Sequence, residues 1–415
     1  MKTSLKRHLL ATVPCAVITL LAGPTALRAD DAKPAATWAS GITFGVQAEA
    51  GFTAAAGSPH ANTGGNFGQL FTDKPNTGLI NQVAFTVART IDPKETGWDV
   101  GFKLQLMGGS DARYTHFMGE LDRASTSRYQ YDVVEANVTV HAPVLTEGGV
   151  DLKLGQYSTP LGLETIDPST NPFYSHSYIF NFGLPLKHTG GLAIVHATDM
   201  IDVYAGLDTG VNTSFGKGDN NGAIGGIGGL QLTLLEGKLT VLALSHIGPE
   251  NPKRLVPNAD KYLRYFNDAV ITFKASEALT LTTEINYARD DLAKADAGGV
   301  AQYIGYALTS EITLNGRAEI YADKKNFFVG AFPGNLDFVN AERGYPATVI
   351  SAAKATTFGS LTAGFTWKPE SFGPTKTMMI RPELRYDTAL NSSKPFNNGK
   401  DKGALTIASD IVIGF

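Results

Sequence analysis

The carboxy-terminal segment, residues 405–415, constrains the fold of this chain more than any other stretch. Successive side chains of an extended strand point to opposite faces. One face of this segment would carry five large apolar side chains, those of Leu405, Ile407, Ile411, Ile413 and Phe415. The other face would carry Thr406, Ala408, Asp410, Val412 and Gly414. The segment therefore predicts a β-strand with one apolar face, ending on an aromatic residue at the last position of the chain.

The same alternation recurs elsewhere, for example over residues 42–49, 98–106 and 378–387. In a soluble β-sandwich the apolar face of each strand would point inward and the polar face outward. In a wide membrane barrel the pattern is inverted, with apolar residues toward lipid and charges toward a water-filled lumen. Alternation alone therefore leaves both architectures open.

The spacing of the strands separates the two architectures. The sequence predicts about sixteen strands, over residues 41–51, 79–90, 98–108, 131–142, 149–157, 190–197, 201–208, 223–235, 238–247, 266–275, 278–289, 301–309, 311–322, 357–368, 377–389 and 403–415. Long and short connections alternate between them, which is typical of a meander barrel and not of a Greek-key sandwich. We therefore expect an all-β fold, a transmembrane antiparallel up-and-down β-barrel over residues 41–415, with 14 or 18 strands as alternatives.

The amino terminus has the pattern of a secretory signal. Lys2, Lys6 and Arg7 precede an apolar run from Leu9 to Gly23, and small residues follow up to Ala29. This pattern predicts a signal peptide over residues 1–29, followed by a short periplasmic segment over residues 30–40. The chain is therefore expected to be exported.

Charge and cysteine content exclude several classes of function. The single cysteine, Cys15, lies in the predicted signal peptide, so the mature chain would have neither a disulfide nor a thiol nucleophile. Without Lys2, Lys6, Arg7 and Arg28, 31 of the 35 basic residues remain against 39 acidic ones, a net charge of −8. This acidic balance argues against nucleic acid as a partner.

Several motifs between residues 150 and 230 resemble a known family. The chain reads GQYSTPLGLE at 155–164, NPFYSHSYIFNF at 171–182, PLKHTG at 185–190 and DVYAGLDTG at 202–210. Together these segments resemble the putative beta-barrel porin-2 family, also called OmpL-like, of Gram-negative outer membranes. The resemblance implies an outer-membrane pore and supplies no catalytic or substrate-binding residues. The last strand likewise resembles the closing strand of outer-membrane barrels, in which a terminal Phe, here Phe415, is the signal for the barrel-assembly machinery.

The third long connection, residues 158–189, is rich in aromatic residues for a solvated loop. An irregular segment is tolerated at membrane depth when it lines a water-filled cavity. We expect this loop to fold inward and narrow the lumen; the alternative is an external lid packed on its own aromatic residues. The candidate constriction residues are Glu164, Asp167, Tyr174, Tyr178, Lys187 and His188.

Sixteen strands are enough to enclose an aqueous channel. On the predicted register the candidate pore-lining residues are Glu49, Lys103, Glu135, Lys153, Glu284, Arg317, Glu319, Arg381, Glu383 and Arg385, with Asp410 on the same face. These charges either select permeating ions or pair across strands to satisfy the wall. The net charge favours a slight preference for cations.

Enzyme and metal chemistry find little support in the sequence. There is no G-x-S-x-G elbow, and no two of the eight histidines have H-x-x-x-H or H-E-x-x-H spacing. The sequence therefore predicts no catalytic residues, no metal site and no cofactor.

The function predicted from the sequence is passive diffusion of small hydrophilic solutes or ions through the barrel. The alternatives are a non-conducting barrel that serves as a surface adhesin or structural anchor, and a soluble exported β protein. The expected partners are outer-membrane lipid, the barrel-assembly machinery and the permeating solutes, with a homotrimer as the expected assembly. Trp98, Trp367 and Phe415 are expected at the periplasmic interface, where aromatic side chains favour the headgroup boundary.

Overall fold

The computed structural model describes residues 37–56, 65–92, 97–122, 124–351, 354–370 and 373–415. The predicted signal peptide, residues 1–29, lies outside them. The chain divides into two compact units, Met1–Ser40 and Gly41–Phe415. Among the described residues, a short 3-10 helix spans Trp38–Gly41.

The second unit is a closed antiparallel barrel. Its sixteen strands are β1 (Thr43–Ala55), β2 (Thr77–Arg89), β3 (Asp99–Gly109), β4 (Gln130–Ala142), β5 (Val150–Ser158), β6 (Lys187–Thr198), β7 (Ile201–Asp208), β8 (Gly225–Leu234), β9 (Leu239–Pro249), β10 (Leu263–Lys274), β11 (Leu279–Asp290), β12 (Ala295–Ala307), β13 (Ile312–Asp323), β16 (Thr356–Trp367), β17 (Thr377–Ala389) and β18 (Gly403–Gly414). A separate two-stranded sheet, β14 (Gly330–Ala331) with β15 (Ile350–Ser351), lies in the connection between β13 and β16.

Each barrel strand pairs with its neighbours in sequence, and β18 pairs with β1 to close the barrel. Closure leaves no unpaired strand edge in the barrel, which is what a strand-built membrane protein requires. The predicted sixteen-stranded up-and-down barrel is therefore confirmed.

Two strand boundaries differ from the sequence prediction in a way that matters for the site. Strand β6 begins at Lys187 instead of residue 190, and β12 begins at Ala295 instead of residue 301. The starts of both strands carry Gly pairs, Gly190-Gly191 and Gly298-Gly299, which weaken the sequence signal for a strand. The predicted long connection over residues 290–300 is consequently wrong, because only residues 291–294 separate β11 from β12.

The helices are short and lie in the long connections. They are α1 (Ala112–Thr115), α2 (Asp337–Arg343), a π-helical turn at Ile179–Gly183 and 3-10 turns at Pro168–Thr170, Gly216–Gly218 and Ala259–Lys261. None of the helices in the described parts of the chain is long and apolar enough to cross a membrane.

Side chains alternate between the two faces of the wall as the sequence predicts. In β17, Arg381, Glu383 and Arg385 are buried, whereas Leu384 and Tyr386 between and beyond them are exposed. In β18, Thr406 and Asp410 are buried and Ile407 is exposed. The charged face therefore points into the barrel and the apolar face points away from it, the arrangement of a membrane barrel.

Trp98, Trp367 and Phe415 all lie at the end of the barrel where the short turns are, next to the starts or ends of β3, β16 and β18. Each is exposed. Their position at a membrane interface stays a prediction.

Candidate functional site

The charged residues of the inner wall are almost completely shielded from water. Arg381 is 1% exposed and Arg385 is 0% exposed, and Glu319 is 3% exposed. Of the predicted pore-lining residues, eight are buried: Glu49, Glu135, Glu284, Arg317, Glu319, Arg381, Glu383 and Arg385. Side chains that faced an open, water-filled lumen would be accessible, so another part of the molecule covers them.

The cover is the connection between β5 and β6, residues 159–186, called the third loop below. Its backbone N–H groups donate to carboxylates of the wall. The amides of Tyr174 and Ser175 donate to Glu383 Oε2, with N···O distances of 3.0 and 3.1 Å. The amides of Tyr178 and Ile179 donate to the two oxygens of Glu319, at 2.9 and 3.0 Å. Hydrogen bonds to a charged acceptor are stronger than neutral ones, so each carboxylate is a firm anchor for the loop.

The backbone carbonyls of the third loop accept hydrogen bonds from arginines of the same wall. Arg381 Nη1 donates to the carbonyls of residues 168 and 171, at 2.7 and 2.8 Å. Arg385 Nη1 donates to the His176 carbonyl at 2.6 Å, and Arg317 Nη1 donates to the Ser175 carbonyl at 2.9 Å. The wall therefore supplies hydrogen-bond partners for both the backbone N–H groups and the backbone carbonyls of a loop that has little secondary structure of its own.

Each of these arginines also has a carboxylate partner. Arg381 pairs with Asp410 and, at 3.0 Å, with Glu49. Arg385 Nε lies 2.9 Å from Asp387 Oδ2. A buried charge is tolerated when it is paired and its remaining polar atoms are hydrogen-bonded, and both conditions are met for Arg381 and Arg385.

Glu164 of the third loop is the partner of Arg317, at 2.6 Å. It also accepts hydrogen bonds from the Ser177 amide and the Tyr303 hydroxyl, and its Oε2 lies 2.9 Å from His176 Nδ1. Burial acts to raise the pKa of Glu164, but the Arg317 guanidinium and His176 outweigh it and lower the pKa to about 2. Glu164 is therefore a permanent anion within the loop.

Aromatic rings add to the contact between the loop and the wall. The Tyr178 ring stacks on Phe358 with a centroid distance of 4.9 Å and on Tyr321 at 6.1 Å. Within the loop, His176 stacks on Phe180 at 4.1 Å. These contacts come in addition to the polar anchors and further restrict the loop.

The two ends of the third loop contact a different part of the wall. Leu161, Leu184 and Leu186 are buried in one continuous apolar cluster, which also contains Leu192 of β6, Ile227 of β8 and Leu244 of β9. The same cluster contains Tyr178 of the loop with Tyr321 and Phe358 of the wall, so hydrophobic packing holds the loop on both sides of the barrel and adds to the charged anchors.

The predicted constriction residues do not all belong to the third loop. Glu164, Asp167, Tyr174 and Tyr178 do, and Asp167 accepts a hydrogen bond of 2.8 Å from Gln47 Nε2 of β1. Lys187 and His188 instead open strand β6. Lys187 is fully buried, with Nζ 2.6 Å from Asp132 Oδ1 of β4. The narrowing of the lumen by this loop stays a prediction.

Two predicted pore-lining residues keep contact with water. The Lys103 side chain is 40% exposed and lies 3.6 Å from Glu135, and Lys153 is half-buried. Their role in permeation stays a prediction. Asp410 is buried beside Arg381.

Sequence reasoning missed some partners of these charges. Alternation places Asp387 on the inner row of β17, two residues beyond Arg385, but the predicted pore-lining residues do not include it. Gln47, Tyr303 and His246 are singled out only by their neighbours in the folded chain, since nothing in their local sequence is distinctive.

The long connections form a further polar network at their own end of the barrel. Arg113, 2% exposed, bonds to Asp73 at 3.0 Å and to the carbonyls of residues 332 and 334. Nearby, a cavity of about 840 Å³ is lined by residues that include Asp122, Lys217, Arg254, Arg343 and Tyr345. This end therefore combines loops joined by buried charges with an open polar cavity.

The chain matches a protein family over the barrel. The model of the family described as "Putative beta-barrel porin-2, OmpL-like" matches residues 41–415. No curated protein matches the sequence.

Solved outer-membrane structures share the fold. Pseudomonas putida OprB, in its high-pH structure, has a TM-score of 0.53 at 13% identity, covering 90% of this chain and 94% of that chain. Salmonella typhi OmpF in complex with daunomycin has a TM-score of 0.55 at 11% identity, covering 90% of this chain and 97% of that chain. The anion-selective porin from Comamonas acidovorans has a TM-score of 0.51 at 9% identity, covering 90% and 99%. At such identities the likeness establishes the fold alone.

Proposed function

The chain belongs to the family described as "Putative beta-barrel porin-2, OmpL-like", and from this membership we propose that it is an outer-membrane porin. Membership confirms the resemblance of the motifs in residues 150–230 and extends it to the whole barrel. Small hydrophilic solutes or ions diffuse through the lumen without energy input, and the third loop sets the narrowest point.

The observation that carries this proposal is the attachment of the third loop to the inner wall. Its polar anchors include Glu284 of β11, Glu319 of β13 and Glu383 of β17, which accept its backbone N–H groups. Gln47 of β1 donates a further hydrogen bond to Asp167 of the loop. A loop held against the wall from inside would reduce the cross-section of the lumen that is open to solutes.

Deleting residues 165–182 and joining the ends with a Gly-Ser linker tests the narrowing. In a planar bilayer, the deletion should raise the single-channel conductance because it removes the part of the loop that bears most of its anchors. The matched control deletes residues 253–258, a mostly exposed stretch between β9 and β10. Equal conductance of the wild type and the 165–182 deletion would contradict the narrowing.

A second candidate function is a closed barrel that acts as a surface adhesin or anchor. This function is favoured by the pairing and burial of Arg317, Arg381 and Arg385. Charges that only stabilise the wall would be paired and buried, and would not act on permeating ions. The same bilayer experiment separates the two functions. Stable open steps of the wild-type protein support the porin, whereas steps seen only after the deletion support the closed barrel.

Location, assembly and selectivity are part of the proposal. An outer-membrane position is supported by the apolar outer face of the wall, and membrane fractionation of cells that express the chain would test it. Outer-membrane lipid, the barrel-assembly machinery acting through Phe415, and a homotrimer remain predicted partners. Reversal potentials in a salt gradient would test the predicted slight preference for cations. The sign of the reversal potential shows whether cations or anions permeate more easily.

A further inference from the structure

Three wall residues from three different strands converge where the third loop joins the barrel. They are His188 of β6, Asp208 of β7 and His246 of β9, called the His–Asp–His group below. One nitrogen or oxygen atom of each lies within 4.8 Å of the others. His188 Nδ1 is 2.9 Å from Asp208 Oδ2, and His246 Nε2 is 3.0 Å from Asp208 Oδ1. The side chains of all three residues are fully buried.

The hydrogen bonding within this group is incomplete. His188 Nδ1 and Asp208 Oδ2 face each other, yet neither has a hydrogen-bond partner of suitable geometry. His246 Nδ1 and Glu250 Oε1 also lack partners. A buried polar atom without a partner destabilises the folded state. Two such atoms facing each other are better explained as ligand atoms that share a cation than as a hydrogen-bonded pair.

The surroundings provide the outer contacts that metal-binding imidazoles use. His188 Nε2 lies 3.0 Å from Thr159 Oγ1, so its N–H can donate there and leave Nδ1 free to bind an ion. On the other imidazole, Nδ1 of His246 lies 3.8 Å from Glu250 Oε1. Glu250 is itself held by a 2.8 Å hydrogen bond from the Val211 amide. His188 thus presents one nitrogen to the group and the other to a hydroxyl at hydrogen-bond distance, whereas His246 Nδ1 faces Glu250 at a distance too long for a hydrogen bond.

A glycine makes room for the group. Strand β8 lies between β7 and β9, and its residue beside Asp208 is Gly225. A Cβ atom at Gly225 would lie 2.6 Å from Asp208 Oδ1 and 2.7 Å from His246 Nε2. Any other residue at this position would therefore separate Asp208 from His246.

We propose that the His–Asp–His group binds one divalent transition-metal ion, with Zn²⁺ as the representative. Two imidazoles and one carboxylate form a ligand set for Zn²⁺ and its neighbours in the first transition row, whereas Ca²⁺ and Mg²⁺ prefer oxygen ligands. A tetrahedral Zn²⁺ holds its ligand atoms about 3.3 Å apart. The two contacts to Asp208, at 2.9 and 3.0 Å, are close to this value, and the two imidazole nitrogens, which lie within 4.8 Å of each other, would both move onto the ion. The bound ion ties β6, β7 and β9 together beside Thr159, the first residue of the third loop.

Binding is tested on the full mature chain, refolded in detergent with a histidine-free affinity tag and stripped with a chelator. Co²⁺ is added as a spectroscopic probe and Zn²⁺ as the competing ion, and bound metal is also counted by mass spectrometry. We expect one ion per chain and a visible Co²⁺ absorption that Zn²⁺ removes. Absence of stoichiometric binding by the wild type overturns the proposal. The His–Asp–His group would then only join the strands through its side-chain contacts.

Variants locate the site. His188→Asn, Asp208→Asn and His246→Asn should each abolish stoichiometric binding, and Glu250→Gln should weaken it about 10- to 100-fold because it supports a ligand from outside. Gly225→Ala keeps every ligand but occupies the space between them, and should also lose binding. Heat-dependent gel mobility shows that each variant has folded.

The matched control is His116→Asn, which removes a buried imidazole that faces a single carboxylate, Asp122, at 2.7 Å. It should bind the ion as the wild type does. Loss of binding in His196→Asn but not in His188→Asn would place the ion at the other histidine–aspartate cluster, where His196 lies near Asp151 and Asp202, and would overturn the proposal.

Discussion

Two arcs of the inner wall hold the third loop with different proportions of polar and apolar contact. The charged arc, on β1, β11, β13, β17 and β18, carries Arg381, Arg385 and Glu319, and it binds the backbone of the third loop. The apolar arc, on β6, β8 and β9, carries Leu192, Ile227 and Leu244, which share one cluster with the leucines at the two ends of the loop, and it lies beside the His–Asp–His group. A single loop thus provides hydrogen-bond partners for the charged arc and covers the apolar side chains of the other arc.

The difference shows why this loop can stay in one place without much regular structure. On the charged arc, wall side chains replace the hydrogen bonds that helices or strands provide elsewhere. On the apolar arc, burial of hydrocarbon supplies a driving force without direction. We expect the charged arc to set the position of the loop, and the apolar arc to add to the stability of its attachment.

The largest effect is expected from Arg381→Ala in the charged arc. This change leaves Glu49 and Asp410 buried without their cation and removes two hydrogen bonds to the third loop. Loss of one partner of a buried ion pair costs about 3–5 kcal/mol. Denaturant unfolding in detergent, followed by tryptophan fluorescence, measures this loss.

The matched control for Arg381 is Arg289→Ala. Arg289 also pairs with two carboxylates, those of Asp291 and Asp296, but its side chain is 42% exposed. An exposed ion pair contributes little to stability because solvent screens it, so the control should remain near wild-type stability. Similar losses in both variants would mean that burial does not distinguish the charged arc.

In the apolar arc, Leu244→Ala should destabilise the protein by about 3 kcal/mol, because it opens a cavity in a packed cluster. The loss is measured by the same unfolding experiment. Leu230→Ala on β8 is the control, since Leu230 points to the other face of the wall and is 39% exposed. If the two leucines give equal losses, the inner cluster is not a packed core.

A smaller effect is expected when one anchor of the loop is weakened. Glu319→Gln leaves one oxygen that accepts a neutral hydrogen bond from the amide of Tyr178 or Ile179, and places an NH2 group against the other amide. We expect a loss of about 1–2 kcal/mol and more frequent current fluctuations in a planar bilayer. Glu236→Gln, at an exposed turn, should change neither. Unchanged current noise in Glu319→Gln would show that this anchor does not hold the loop.

The smallest effect concerns pH and lies outside both arcs, in α2. Burial raises the pKa of Glu342 to about 7, with Arg264 opposing the shift and Glu250 adding to it. A carboxyl group whose pKa rises on folding stabilises the fold fully below its unfolded pKa, and this contribution is lost as the pH rises through about 7. Limited proteolysis of residues 324–355 should therefore be faster at alkaline than at mildly acidic pH.

Glu342→Gln provides the control for this pH dependence. The amide cannot ionise, so the rate of cleavage should no longer depend on the ionisation of this residue. A variant that retains the full wild-type difference between the two pH values would rule out Glu342 as its cause.

Much of the barrel could be predicted from the sequence because the signals involved are local. Alternation in β17 indicated that Arg381, Glu383 and Arg385 share the inner face, and the structure agrees. The starts of β6 and β12 could not be placed, because the Gly-rich stretches around Gly190 and Gly298 resemble loops when they are viewed alone. Pairing with a neighbouring strand makes them strands.

The state of the charged residues could not be predicted in the same way. Arg381 is hydrogen-bonded to Glu49, which is 332 positions away in the sequence, and Gln69 is hydrogen-bonded to Asp387, which is 318 positions away. No local pattern encodes such partners. The same reason hid the His–Asp–His group, whose members are far apart in sequence and meet only because neighbouring strands and Gly225 allow it.

By itself, the sequence determined the antiparallel meander, a count of about sixteen strands and the alternation of side chains between two faces. These follow from the period of two in a strand and from the rhythm of short and long connections, which are properties of neighbouring residues. Only the tertiary structure decided that the charges of the inner face would be covered by a loop. Closure of the barrel brings groups that are distant in sequence within hydrogen-bond distance. A buried charge is destabilising unless it is paired, so its partner is decided by which groups the fold places beside it.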